Sequence, residues 1–245
     1  MGKAKITLPA WEPTLSTGKR NDIGSRGSVG SRTWSNAASA GRPVHRILEA
    51  NSQLADWTTS LLFESNDRLE LSSTEAVATT DAWMMVFAFT DLDTSAANTL
   101  VGLEPAVLSE HGYFKIGSGG TSIVYHPCDT RAGGDATVAL NNTDNSSINY
   151  TFGSDVEVLI IYHPGSGTSS TQYYYNIDGD LIGKSPVHAK WSTAFELQYI
   201  GGEEDGSDFL EAELLDFRFY TGSDIPPTTA ASLAAIGNRY KQHKN

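Results

Sequence analysis

The chain is short of most of the residues that build metal frameworks and cross-links. It has one cysteine in 245 residues, Cys128, so no intramolecular disulfide can form. No supporting motif stands near Cys128, which reads as a free thiol in a loop or small core gap. No Cys-x-x-Cys or His-x-x-x-His spacing occurs, and this removes the usual zinc patterns. No apolar run reaches signal-peptide or membrane-spanning length, and the chain turns polar after Met1-Gly2-Lys3-Ala4-Lys5. A soluble protein without a secretion signal or membrane contact is the expectation. The glycine-rich Gly117-Ser118-Gly119-Gly120 lacks the Lys-Ser/Thr of a phosphate loop and any following helix. No low-complexity linker divides the chain, so one main domain with an N-terminal extension is expected.

Basic residues are also scarce, 17 Lys/Arg against 29 Asp/Glu, for a net charge of −12. Their placement is uneven. Residues 1–46 carry eight Lys/Arg against Glu12 and Asp22, a net +6, which leaves −18 on the rest. A basic arm over 1–46 and an acidic body over 47–245 follow. The arm is rich in Gly, Ser and Arg, and two isolated tryptophans, Trp11 and Trp34, would pin it to the body. Its residues Trp11, Lys19, Arg20, Arg26, Arg32, Trp34 and Arg42 are candidates for docking onto an acidic surface, on another copy or on a different partner. Nucleic acid is the rival partner for such an arm, and simple solubility the bland alternative. Without aromatics interleaved along the arm beyond Trp11 and Trp34, specific nucleic-acid readout is not expected.

From Leu61 onward the pattern is that of strands. Leu61-Leu62-Phe63 and Leu69-Glu70-Leu71 flank a turn cluster at 65–67. Trp83 to Phe89 is apolar on both faces, as a central strand buried on both sides would be, and 99–103 is the natural partner for it. Hairpins are expected across 117–120, across 141–145 (joining strands at 136–140 and 148–152) and across Asp178-Gly179-Asp180. Strands at 156–162, 195–200 and 209–220 complete at least ten, with turn signals every 8–15 residues, which points to an antiparallel sandwich rather than βαβ units. A single helix is predicted over 228–242. Thr228 or Thr229 would cap it, Leu233, Ile236 and Tyr240 would form its apolar stripe, and basic residues would end it.

Four stretches in order resemble the concanavalin A-like lectin/glucanase superfamily, in particular laminin-G-like jelly-roll domains. They are Leu61-Leu62-Phe63 with Asn66-Asp67-Arg68-Leu69-Glu70-Leu71; Val158 to Tyr162 with Tyr173-Tyr174-Tyr175-Asn176-Ile177-Asp178-Gly179; Ile200-Gly201-Gly202; and Asp216-Phe217-Arg218-Phe219-Tyr220 before the helix. The resemblance covers about residues 50–243. It implies an all-β antiparallel sandwich, a concanavalin A-like jelly roll, with one C-terminal helix packed outside. Domains of this type with a closing helix also occur in tailed-phage virion proteins. By that analogy the chain is expected to be a non-enzymatic virion structural protein, present in multiple copies or as a homo-oligomer. Capsid decoration is favoured over a tail appendage, with the basic arm bound to capsid or other virion proteins. The alternative that the resemblance implies is a lectin-like module for surface glycans, and a glycoside hydrolase ranks below both.

Candidate sites follow from these readings. A retaining glycosidase needs two carboxyl groups about 5–5.5 Å apart. The nearest approach is Glu211-x-Glu213, but strict alternation puts Asp216 on the opposite face from Glu213. Glu211 and Glu213 therefore read as the solvated face of an outer strand, and no catalytic residue is assigned. Glu203, Asp205 and Asp208 share one acidic loop and are the candidates for a calcium ion. Tyr173 and Tyr175 share a face with Tyr174 opposite; together with Trp191 they are the candidates for stacking on sugars.

Overall fold

The computed structural model describes residues 6–9, 34–36, 44–47, 59–64, 66–71, 76–105, 111–127, 135–140, 148–165, 171–185, 194–203 and 208–241. The strands, in chain order, are β1 (Ile6–Pro9), β2 (Trp34–Asn36), β3 (Val44–Ile47), β4 (Thr59–Phe63), β5 (Leu69–Leu71), β6 (Ala76–Val77), β7 (Trp83–Thr90) and β8 (Asn98–Pro105). They continue with β9 (Gly112–Ile116), β10 (Ser122–His126), β11 (Ala136–Ala139), β12 (Glu157–His163), β13 (Tyr173–Tyr175), β14 (Leu181–Lys184), β15 (Phe195–Ile200) and β16 (Ala212–Thr221). One α-helix, α1 (Ala230–Gly237), follows.

Two antiparallel sheets stack face to face. The first runs β14-β13-β12-β7-β16-β4-β3, with β1 also on β16; the second runs β11-β10-β9-β8-β15-β5-β2, with β6 also on β15. The expected all-β sandwich with an outer C-terminal helix is what the chain forms. Its inner layer is aromatic and aliphatic: Trp83, Met85, Phe87 and Phe89 of β7 meet Leu100, Phe114, Ile123 and Leu197 of the facing sheet.

β7 is central in its sheet and buried on both faces because a second apolar layer lies behind it. Met84, Val86 and Ala88 point away from the facing sheet and pack with Val158, Ile160, Leu215, Leu233, Ile236 and Tyr240 under α1. A helix of eight residues is marginal alone. Burying Leu233 and Ile236 is worth about 1.5–3 kcal/mol each. The Thr229 hydroxyl caps the first turn by accepting from the Ser232 N–H at 3.3 Å. At the other end Gly237 lies so close to the sheet that an added Cβ would sit 1.7 Å from the Ile177 carbonyl oxygen. Only glycine permits that approach.

Several expectations change. The stretch 99–103 does not pair with β7; it lies within β8, in the other sheet, between β9 and β15. Residues 148–152 form no strand: Tyr150 and Phe152 bond singly to Leu140 and Gly120, and Phe152 fills the core as part of a loop. Two rings pack on the core here without a ladder, Phe152 buried and Tyr150 partly so. The helix ends at Gly237, earlier than expected, and Lys241 beyond it pairs with Asp178 rather than with helix carbonyls. Within 1–46, three short segments are strands: β1 pairs with β16, β2 with β5 and most of β3 with β4. The boundary drawn at 46/47 falls inside β3.

Candidate functional site

The strand that suggested catalysis is central, not outer. β16 lies between β7 and β4. Glu213 is buried and its carboxylate accepts from the Ser60 hydroxyl at 3.1 Å, so it is no part of a solvated face. A bulge between Leu214 and Asp216, opposite Phe89 and Ala88, shifts the alternation by one residue. Asp216 therefore shares the helix-side face with Glu213, contrary to strict alternation. It is already engaged: Arg218 Nε donates to it at 2.7 Å and the Tyr240 hydroxyl at 2.5 Å. Burial pushes its carboxyl pKa up, and the Arg218 charge pulls it back. Glu211 lies before the strand, its N–H donating to the Asn98 side chain at 2.7 Å. The carboxylates of Glu213 and Asp216 are thus held by other side chains of the fold.

The acidic loop has its own cation. Lys115 on β9 points from the face of its sheet away from the core, and its ammonium pairs with Glu203 and, at 2.7 Å, with Asp208. The same ammonium lies 4.1 Å from the Tyr113 ring centroid. Arg68 stacks over Tyr199 at 4.4 Å and donates to the Glu203 carbonyl. The turn at 201–203 thus folds over β8, where Gly102 is required: a Cβ there would come within 2.9 Å of the Gly202 carbonyl oxygen. Asp205 lies outside the described residues. Among the described residues no three His, Cys, Asp or Glu side chains group as a metal site would need.

The tyrosines separate as alternation demands. Tyr174 is wholly buried in the inter-sheet core. Tyr173 and Tyr175 are half-buried on the opposite, outer face of the helix-side sheet. Tyr162, on the neighbouring β12 and in register with Tyr173, joins them. Sequence reasoning missed Tyr162, although its place two residues past Ile160 on an alternating strand could have found it. The Tyr162 and Tyr173 rings lie 6.3 Å apart, tilted by 31°. Burial raises the pKa of the Tyr162 and Tyr175 hydroxyls, and the proximity of Tyr173 adds to both. None of the three hydroxyls hydrogen-bonds another group among the described residues. Tyr162 and Tyr175 rest on the apolar layer under α1, so a rigid base supports the platform. Trp191 lies outside the described residues, as do Trp11, Lys19, Arg20, Arg26, Arg32 and Arg42. Trp34 opens β2, its backbone opposite Leu71.

No protein-family model matches the sequence, and no curated protein matches it either. Solved structures do. The structure is similar to domain 4 of AbnA, a GH43 extracellular arabinanase from Geobacillus stearothermophilus, in complex with arabinotriose. That likeness has a TM-score of 0.55 at 10% identity and covers 96% of this chain and 98% of that one. The fold is a jelly-roll-like β-sandwich. It is similar as well to the binding domain of botulinum neurotoxin DC in complex with rat synaptotagmin II. There the TM-score is 0.54 at 10% identity, over 97% of this chain and 51% of that one. The chain spans about half the length of the neurotoxin binding domains it matches. These likenesses establish the architecture.

Proposed function

We propose that the chain is a non-catalytic, lectin-like module that binds a surface glycan on the outer face of its helix-side sheet. The observation that carries this reading is the platform of Tyr162, Tyr173 and Tyr175. It offers three half-buried rings on paired strands, with hydroxyls free of partners among the described residues. Rings of this kind cover the apolar face of a sugar while their hydroxyls meet the sugar's own. One neighbour of the same fold supports it, a domain solved with arabinotriose. The absence of catalysis rests on Glu213 and Asp216, both buried and committed to other side chains. A glycan array with and without a chelator tests the proposal. Binding is expected in both conditions, and Tyr173→Ala should weaken it by about tenfold, the worth of one stacked ring. An array blank for the wild type in both conditions refutes the function.

A second, compatible reading comes from the sequence resemblance: the module is displayed in multiple copies on a phage particle, as a capsid decoration, and the charge asymmetry supplies the basic 1–46 region that would bind virion proteins. Because strands β1 to β3 start within that region, deletion is the wrong test. Replacing Lys19, Arg20, Arg26, Arg32 and Arg42 with glutamine leaves those strands intact. Loss of particle association at unchanged thermal stability is the expected result, and retained association in the substituted protein counts against the reading.

A further inference from the structure

The tyrosine platform ends in a cation. On the edge strand β14, Lys184 stands in register with Tyr173, which stands in register with Tyr162 on β12. Directly opposed residues of an antiparallel pair project to the same face, so Lys184, Tyr173 and Tyr162 form one row at a spacing of about 4.8 Å per strand. The inward-facing neighbours agree: Ile182 is in the core, and a Cβ at Gly183 would touch Val138 and Leu140 across the sandwich.

Lys184 is also exceptional in its partners. Of the lysines and arginines whose side chains are described, Lys115 pairs with Glu203 and Asp208, Arg218 with Asp216 and Lys241 with Asp178. Arg68 covers Tyr199, and Arg239 is engaged. Lys184 alone has no carboxylate, carbonyl or ring partner among the described residues. On a chain of net charge −12, a basic side chain has many acids to choose from. This one stands instead beside partly exposed tyrosines at the open end of the sheet.

We propose, on the basis of the glycan-binding reading, that the platform selects acidic glycans: a sugar ring stacks on Tyr173 and Tyr162 while its carboxylate, or that of the next residue, pairs with Lys184. Neither half suffices alone. The stack is indifferent to charge, and an exposed ammonium is a weak, salt-screened anion site. Together they give a preference for a uronate over its neutral counterpart, because only the uronate meets both.

The test uses the full chain, with a galacturonic acid trisaccharide and the neutral galactose trisaccharide as probes, titrated calorimetrically at two salt concentrations. The wild type should bind the acidic probe about tenfold more tightly, the worth of one charge-assisted hydrogen bond, and added salt should erode that advantage. Lys184→Gln should abolish the preference and leave affinity for the neutral probe unchanged, whereas Tyr173→Ala should weaken both. If Lys184→Gln retains the preference, or the wild type binds both probes equally, acidic selectivity is overturned while glycan binding stands. If neither probe nor any glycan on the array binds, both readings fall. Circular dichroism of each variant confirms that the sandwich is intact.

Discussion

The Tyr240 hydroxyl donates to the Asp216 carboxylate at 2.5 Å, and this contact joins the segment after the only described α-helix to the middle of the central strand β16. Asp216 thereby has partners on two sides, Arg218 along its own strand and Tyr240 from above. Tyr240→Phe keeps the ring and removes the donor. It should destabilise the protein by about 1–3 kcal/mol, since a buried carboxylate loses a partner. A urea titration followed by tryptophan fluorescence measures it, and an unchanged midpoint would show that the contact contributes nothing.

Gly237 makes a sharper test of how the helix sits. With a Cβ at 1.7 Å from the Ile177 carbonyl oxygen, backbone must move to admit even alanine. Although alanine is the better helix former by about 1 kcal/mol, Gly237→Ala should lower stability by about 1–3 kcal/mol through overpacking. Stabilisation on thermal melting would mean that the helix stands off the 177–179 turn.

Lys115 supplies the positive charge that Glu203 and Asp208 would otherwise draw from solution. Lys115→Met should lower stability by about 1–2 kcal/mol, a modest figure because Asp208 is half-exposed and water screens it. Millimolar calcium should leave the melting temperature of the wild-type protein unchanged. A clear upward shift would show that the loop takes calcium in spite of the lysine.

His163 gives the fold a pH dependence of known sign. Its ring stacks on Trp83 with centroids 5.2 Å apart and planes 2° from parallel, and its Nδ1 accepts from the Gly165 N–H at 3.2 Å. Burial lowers its pKa to about 4 from the ordinary 6.5. Between those values the unfolded chain binds the extra proton and the folded chain refuses it. This contribution is therefore full above about pH 6.5, is lost as pH falls toward 4, and amounts to about 3 kcal/mol over that window. His163→Gln should flatten the stability profile between pH 6.5 and 4; an equally steep profile in the variant would assign the loss to other groups.

How much of this was legible beforehand can be judged from particular residues. Trp83 to Phe89 announced a strand buried on both faces because apolar residues occupy every position, and two-sided burial is a local property of composition. The stripe Leu233, Ile236, Tyr240 announced which side of the helix lies down for the same reason. Asp216 was misplaced because alternation assumes an unbroken ladder, and the bulge after Leu214 is created by pairing with β7, a partner more than a hundred residues away in sequence. The platform was half legible: Tyr173 and Tyr175 share a face by period alone, whereas Tyr162 and Lys184 join them only through cross-strand register.

The sequence by itself determined the class of fold, the faces of its best strands and the position of its helix, because these depend on spacing along the chain. The tertiary structure decided which sheet each strand enters, that Lys115 pairs with Glu203 and Asp208, that Asp216 and Glu213 are buried and bonded to other side chains, and that three tyrosines and a lysine lie on one surface. Each of these depends on register between distant strands, and register is set by whole faces packing together, not by any one segment.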